Sequence, residues 1–133
     1  MKNNNKIFIA GHKGMVGSAC WRALEAKGYN NLIGHSSKEL DLRDQKEVFN
    51  LISKERPHAI IDAAAKVGGI LANSKYPYEF LMDNLLIQNN LIKAAHELHV
   101  PKFIFLGSSC IYPKMAPQPL KEEYLLTGPL EET

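Results

Sequence analysis

The sequence predicts an α/β fold, a Rossmann-like parallel sheet of four strands with flanking helices. Three observations carry that reading. Short, almost wholly apolar runs recur at residues 6–10, 31–34, 59–63 and 103–106. Segments with apolar residues at helical spacing lie between them. A GxxGxxG stretch stands between the first run and the first helical segment. Apolar strands of this kind suit a parallel sheet covered on both faces. Alternation of strand and helix implies right-handed crossovers within one sheet.

Each element has its own justification. Residues 6–10 (KIFIA) carry three branched or aromatic side chains and end at Gly11. Residues 15–27 place Val16, Cys20, Ala23 and Leu24 on one side of a helix, and Gly28 supplies the stop. Residues 31–34 form a second strand. Residues 44–54, with Val48, Phe49, Leu51 and Ile52, form a helix closed by Arg56-Pro57. Residues 59–63 are the third strand. Residues 78–99 form a long amphipathic helix carrying Leu81, Leu85, Leu86, Leu91, Ile92 and Ala95, ended by Pro101. Residues 103–106 (FIFL) are the fourth strand. The stretch 107–133 holds four prolines and no periodic element. So long an irregular stretch is either a functional loop or one that lacks the surface it packs on.

Composition excludes several classes of partner. At 133 residues the chain is one domain's worth. A net charge of +2 is too small to indicate nucleic acid or an anionic membrane. No apolar run reaches the roughly 20 residues of a membrane helix. Cys20 and Cys110 make no disulfide framework and no metal-ligand spacing, so no metal is expected. The apolar IFIA near the start is too short for a signal peptide, and cytoplasm is the expected compartment.

The glycine loop Gly11-His12-Lys13-Gly14-Met15-Val16-Gly17 carries the chemistry. Gly11 turns the chain off the strand, Gly14 admits a pyrophosphate to the backbone amides, and Gly17 lets the helix approach the sheet. The helix N-terminus then offers unpaired N–H groups to phosphates. The alternative is a tight turn without a ligand. At the end of the second strand an acidic residue would bind a ribose 2′-OH. Here stand His35, Ser36, Ser37 and Lys38, with no acid before Glu39. With Lys13 they suit a 2′-phosphate, which favours NADP over NAD, unless they are only a solvated loop. Asp41 and Leu42 follow where an adenine ring would lie.

Asp62-Ala63-Ala64-Ala65 after the third strand and Gly107-Ser108-Ser109-Cys110 after the fourth complete a pattern. With strand-GxxGxxG-helix, it resembles the extended short-chain dehydrogenase/reductases. IFIAGHKGMVGSA, AAAKVGGILAN and FLGSSCIYPK are similar to the GDP-L-fucose synthase family, from Lys6 to about Leu130. The segments 66–70 and 109–113 are more specific to it than the glycine loop. The resemblance implies a strand order of 3-2-1-4 and an NADPH-dependent epimerase/reductase that converts GDP-4-keto-6-deoxymannose to GDP-L-fucose. It implies Ser108 on the ketone oxygen and Cys110 as acid/base at a flanking carbon, where enolisation needs a base and a stabilised oxyanion. Taken alone, Ser108 reads as a strand-end cap and Cys110 as a small buried apolar residue. The implied cofactor contacts are the glycine loop, His35, Ser36, Ser37, Asp41, Leu42, Ala63, Ala64, Ala65 and Asn84. Lys66, Val67, Gly68, Ser109 and Lys114 are the implied substrate contacts, although both lysines also read as surface residues. The family's homodimers join through counterparts of the long helix.

The superfamily's reductase step uses Tyr-x-x-x-Lys. None of the five tyrosines fits: Tyr29, Tyr76, Tyr78, Tyr112 and Tyr124 are followed four residues on by Ile33, Phe80, Met82, Ala116 and Gly128. The resemblance places that motif a few residues beyond Thr133. Residues 1–133 are therefore expected to be the N-terminal NADP-binding portion of the enzyme, with the substrate-binding domain outside them and no turnover by the chain alone. The fourth strand would then be an exposed apolar edge. Two other readings remain: a non-catalytic NADP-binding half-domain, and another nucleotide-sugar epimerase or reductase of the same superfamily.

Overall fold

A computed structural model describes residues 3–131. Its elements run β1 (Ile7–Ala10), α1 (Met15–Ala26), β2 (Leu32–Ile33), α2 (Gln45–Glu55), β3 (Ala59–Asp62), α3 (Ile70–Lys75), α4 (Pro77–Glu97) and β4 (Lys102–Phe105). All three strand pairings are parallel. The expected strands and the three longer helices are present, with ends moved by one or two residues. Asp44 caps α2 by accepting the N–H groups of Lys46 and Glu47, which satisfies two donors at the helix start. The additional helix α3 was not expected, and two single 3-10 turns, Ser109–Ile111 and Glu122–Tyr124, punctuate the proline-rich stretch.

The sheet order is β2-β1-β3-β4. This corrects the expected 3-2-1-4, and the reason lies in which face each helix covers. Cys20, Trp21 and Leu24 of α1 pack against Ile7, Ile9, Ala59 and Ile61. Val48 and Ile52 of α2 pack on the other face with Phe8, Ile60 and, from α4, Leu91 and Ala94. Crossovers are right-handed. Helices on opposite faces must therefore carry the chain in opposite directions. The α1 crossover steps outward to β2; the α2 crossover steps back past β1 and lands on its far side. The 3-2-1-4 order would need both helices on one face.

The reversal puts a switch point between β1 and β3, and open parallel sheets bind ligands at the strand ends there. Ile7, Phe8, Ile9, Ile60, Val48, Ile52 and Leu91 are buried almost completely and fix that frame. The outer edge is less covered. β4 pairs only with β3, and Ile104, Phe105 and Leu106 are 36%, 50% and 39% exposed.

Candidate functional site

A cleft of about 470 Å³ opens at the switch point, within the range of small-molecule sites. The glycine loop forms one wall. Gly11 has φ +74, and a Cβ there would lie 2.7 Å from the Ala63 carbonyl oxygen. Only glycine lets β1 turn away while β3 passes this close. A Cβ on Gly17 would lie 2.2 Å from the Gly11 carbonyl oxygen, so the first turn of α1 sits directly on the loop. Gly14 caps α1 with no side-chain bond and no acid in the first turn. The first N–H groups of α1 thus keep their donors and their partial positive charge for an anion.

The cleft is lined by Gly11, His12, Lys13, Gly14, His35, Ser36, Ser37, Asp41, Leu42, Ala63, Ala64, Ala65 and Lys66, all among the expected contacts. Met15 and Val16 stand at the exposed N-terminus of α1, and Gly17 is buried beneath the loop. The ring of His12 lies tilted against Trp21, with centroids 5.6 Å apart, and fills the space left by Gly34. Burial, then the charge of Lys13, lowers its pKa and so favours the neutral imidazole. Ser36 is less free than its hydroxyl suggests. Its N–H and O–H each donate to Glu39 at 2.7 Å, and these bonds lower the pKa of Glu39. Lys13, His35 and Ser37 remain as donors at that end.

Asn84, half-buried in α4, accepts the Lys66 N–H at 2.7 Å and donates to its carbonyl at 3.0 Å. It clamps the loop after β3 rather than lining the cleft. Lys66 also reaches Asp83 at 2.7 Å and lies over the Phe80 ring. Val67 is 82% exposed, and Gly68 packs against Phe80 and Ala72. The cleft does not include Ser108, Ser109, Cys110 or Lys114 in its lining. The Ser108 hydroxyl accepts the Cys110 N–H at 3.1 Å and so caps the 3-10 turn. Its own proton is not used in that bond. Cys110 is an exposed free thiol, which corrects its reading as a buried apolar residue. Lys114 pairs with Glu131 at 3.4 Å on the surface.

Leu40, Arg43, Asp83 and Ile87 complete the lining and were not expected there. Leu40 and Ile87 pack with the apolar core beneath the cleft. Arg43 binds Asp41 and Asp83 together. Adjacency to Asp41-Leu42 was the available signal for Arg43; Asp83 lies 40 residues away and gave none. Asp62, at the end of β3, is 2% exposed. One carboxylate oxygen accepts the Ala64 N–H at 3.1 Å, and the other has no partner. Burial raises its pKa to about 6.

Residues 7–133 match the NAD dependent epimerase/dehydratase family. A GDP-L-fucose synthase described as putative, from Arabidopsis thaliana, is 53% identical over 133 residues, all of this chain and 40% of that protein. The GDP-L-fucose synthase of Escherichia coli is 50% identical over 131 residues, 98% of this chain and 41% of that protein. Among solved structures, a GDP-mannoheptose C4 reductase from Campylobacter jejuni with NADP bound superposes with a TM-score of 0.91 at 40% identity, covering 98% of this chain and 41% of the other. The chain thus spans about 40% of the length of these relatives.

Proposed function

The chain belongs to the NAD dependent epimerase/dehydratase family, and on that premise we propose that it is the N-terminal, NADP-binding part of a GDP-L-fucose synthase, an NADPH-dependent epimerase/reductase acting on GDP-4-keto-6-deoxymannose. The observation that carries the cofactor part is the cradle at the switch point. Glycine is needed at 11 and 17 to build it, since a Cβ at either would collide with the backbone of Ala63 or of Gly11, and the uncapped N-terminus of α1 stands at its edge. That shape and those donors fit a pyrophosphate. Lys13, His35 and Ser37, with no acidic side chain directly at the end of β2, fit a 2′-phosphate. The bound cofactor of the Campylobacter relative agrees with this choice.

NADPH, when bound, supplies hydride to a sugar ketone. The chain's own residues hold, position and move protons in this reading. The glycine loop and the first turn of α1 hold the diphosphate by backbone N–H groups. Asn84 holds the Lys66 backbone, and with it the loop after β3, by two hydrogen bonds. Ser108, whose oxygen is oriented by the Cys110 N–H, donates a hydrogen bond to the ketone oxygen. That stabilises negative charge on the oxygen as a flanking C–H proton leaves. The exposed Cys110 thiol is the proton carrier for that carbon. Ser109, Lys66 and Lys114 are proposed to contact the substrate, in a homodimeric cytoplasmic enzyme joined through α4.

Tyr-x-x-x-Lys does not occur within the 133 residues, which favours cofactor binding without turnover by this chain alone. Thermal melting with added cofactor tests both points. At about 100 times its Kd, NADPH adds about 2.7 kcal/mol of stability, a rise of several degrees, and NADH at equal concentration adds less. NADPH absorbance stays constant when GDP-4-keto-6-deoxymannose is supplied. Equal shifts from both cofactors overturn the NADP choice. No shift from either overturns the cofactor reading. Steady NADPH consumption overturns the absence of turnover.

A further inference from the structure

Arg43 lines the cleft and ties together the loop at Asp41 and helix α4, which are distant in sequence. Its Nε and Nη2 fork onto the Asp41 carboxylate at 2.9 and 2.8 Å, and its backbone N–H donates to the same group. Its Nη1 reaches Asp83 of α4 at 3.3 Å. Asp83 is itself anchored by Lys66. The guanidinium is therefore held along its edges by carboxylates on two sides. Donors spent in this way are poor phosphate ligands, and what the group still offers is its flat, delocalised face. Arg43, Asp41 and Asp83 line the same cleft as Leu42 and Ile87. An apolar slot beside a tethered planar cation is the chemistry that receives an aromatic base.

We infer that Arg43 binds the adenine ring of the dinucleotide in this cleft by stacking on it, with Asp41 and Asp83 holding its plane. The inference rests on the cofactor reading above and adds a residue to it. A cation acting only by its charge works equally well as lysine; a stacking plane does not.

The test compares wild type with Arg43→Lys and Arg43→Met. Kd is measured for NADPH, for 2′,5′-ADP (the adenine half) and for reduced nicotinamide mononucleotide (the other half). Both substitutions weaken NADPH and 2′,5′-ADP by roughly tenfold, the size of a partly desolvated cation–π contact, and leave the mononucleotide unchanged. The melting temperature without ligand stays within a degree or so, because the side chain is about half exposed and its ion pairs lie at the surface. Wild-type affinity for 2′,5′-ADP in Arg43→Lys overturns the inference alone. So does an equal loss for the mononucleotide, which marks a general distortion. A wild-type chain that binds neither NADPH nor 2′,5′-ADP overturns the cofactor reading, and this inference with it.

Discussion

Asp62 sits where a strand end meets the cleft floor, nearly sealed from water, with one oxygen unpartnered. Burial raises its pKa from the ordinary 3.8 to about 6. A carboxyl with a raised folded-state pKa holds its proton more tightly when folded than when unfolded. Its contribution is therefore intact below pH 4 and is lost as pH climbs through about 6. The loss approaches about 3 kcal/mol at 1.36 kcal/mol per pKa unit. Asp62→Asn keeps an acceptor for the Ala64 N–H and cannot ionise. Urea midpoints measured from pH 4 to pH 8 should fall for wild type and stay nearly flat for the variant, other titrations being common to both. Parallel curves for the two proteins would show that Asp62 reaches water or a donor. Legibility in sequence differs sharply among such residues. The glycine loop is contiguous, so each of its backbone demands shows as a residue type at fixed spacing. The Arg43–Asp83 contact joins positions 40 apart, and only the packing of α4 beside the loop after β2 brings them together. Ser36 looked like a free hydroxyl because its partner, Glu39, was read only as the first acid after the strand. Both bonds run from Ser36 to the Glu39 carboxylate across a turn, with no helix there to announce the pairing.

The helix α1 depends on its contact with the loop below it more than on its own propensity. It has no side-chain cap, and its first turn rests on the Gly11 carbonyl through Gly17. Gly17→Ala would place a methyl group 2.2 Å from that oxygen. Backbone on both sides cannot yield as a flexible side chain does. The helix must lift from β1, loosening Cys20, Trp21 and Leu24 from the sheet. The expected cost is about 1–3 kcal/mol, the usual range for overpacking. NADPH binding should weaken as well, because the same shift moves the N–H groups proposed to hold the diphosphate. Chemical denaturation and the NADPH-dependent melting shift read the two effects separately. A variant of wild-type stability and affinity would mean that α1 has room to slide. At this scale the sequence was most informative. Apolar runs and helical spacing located all four strands and three helices, because burial on two faces or one leaves a periodic trace. Helix α3 left none: Ile70–Lys75 is too short for a stripe, and none of its residues is buried. Strand order was also hidden. It depends on which face α1 and α2 cover, and both helices carry apolar stripes that fit either face.

The sheet ends in two edge strands, the two-residue β2 and the four-residue β4. The cleft opens at the switch point between β1 and β3, where α1 and α2 diverge to opposite faces. The outer backbone groups of β4 have no partner strand among the described residues. Ile104, Phe105 and Leu106 are partly exposed on or next to that edge. An unpaired, apolar edge is a template for another chain. The residues that would ordinarily blunt such an edge are scarce here: β4 has a single charge, Lys102, at its start. The 133-residue chain should therefore self-associate as its concentration rises, by strand pairing at β4. Sedimentation velocity over a hundredfold concentration range reads this directly. Phe105→Lys puts a charge at the end of β4, on its exposed edge, and should shift the weight-average mass toward the monomer. The same substitution leaves the cleft untouched, since Phe105 is not among its lining residues, so the NADPH-induced melting shift should survive. Association that persists in Phe105→Lys would place the contact elsewhere, on the α4 surface that exposes Tyr78, Leu81 and Ile92. In that case Leu81→Lys, and not Phe105→Lys, would release the monomer.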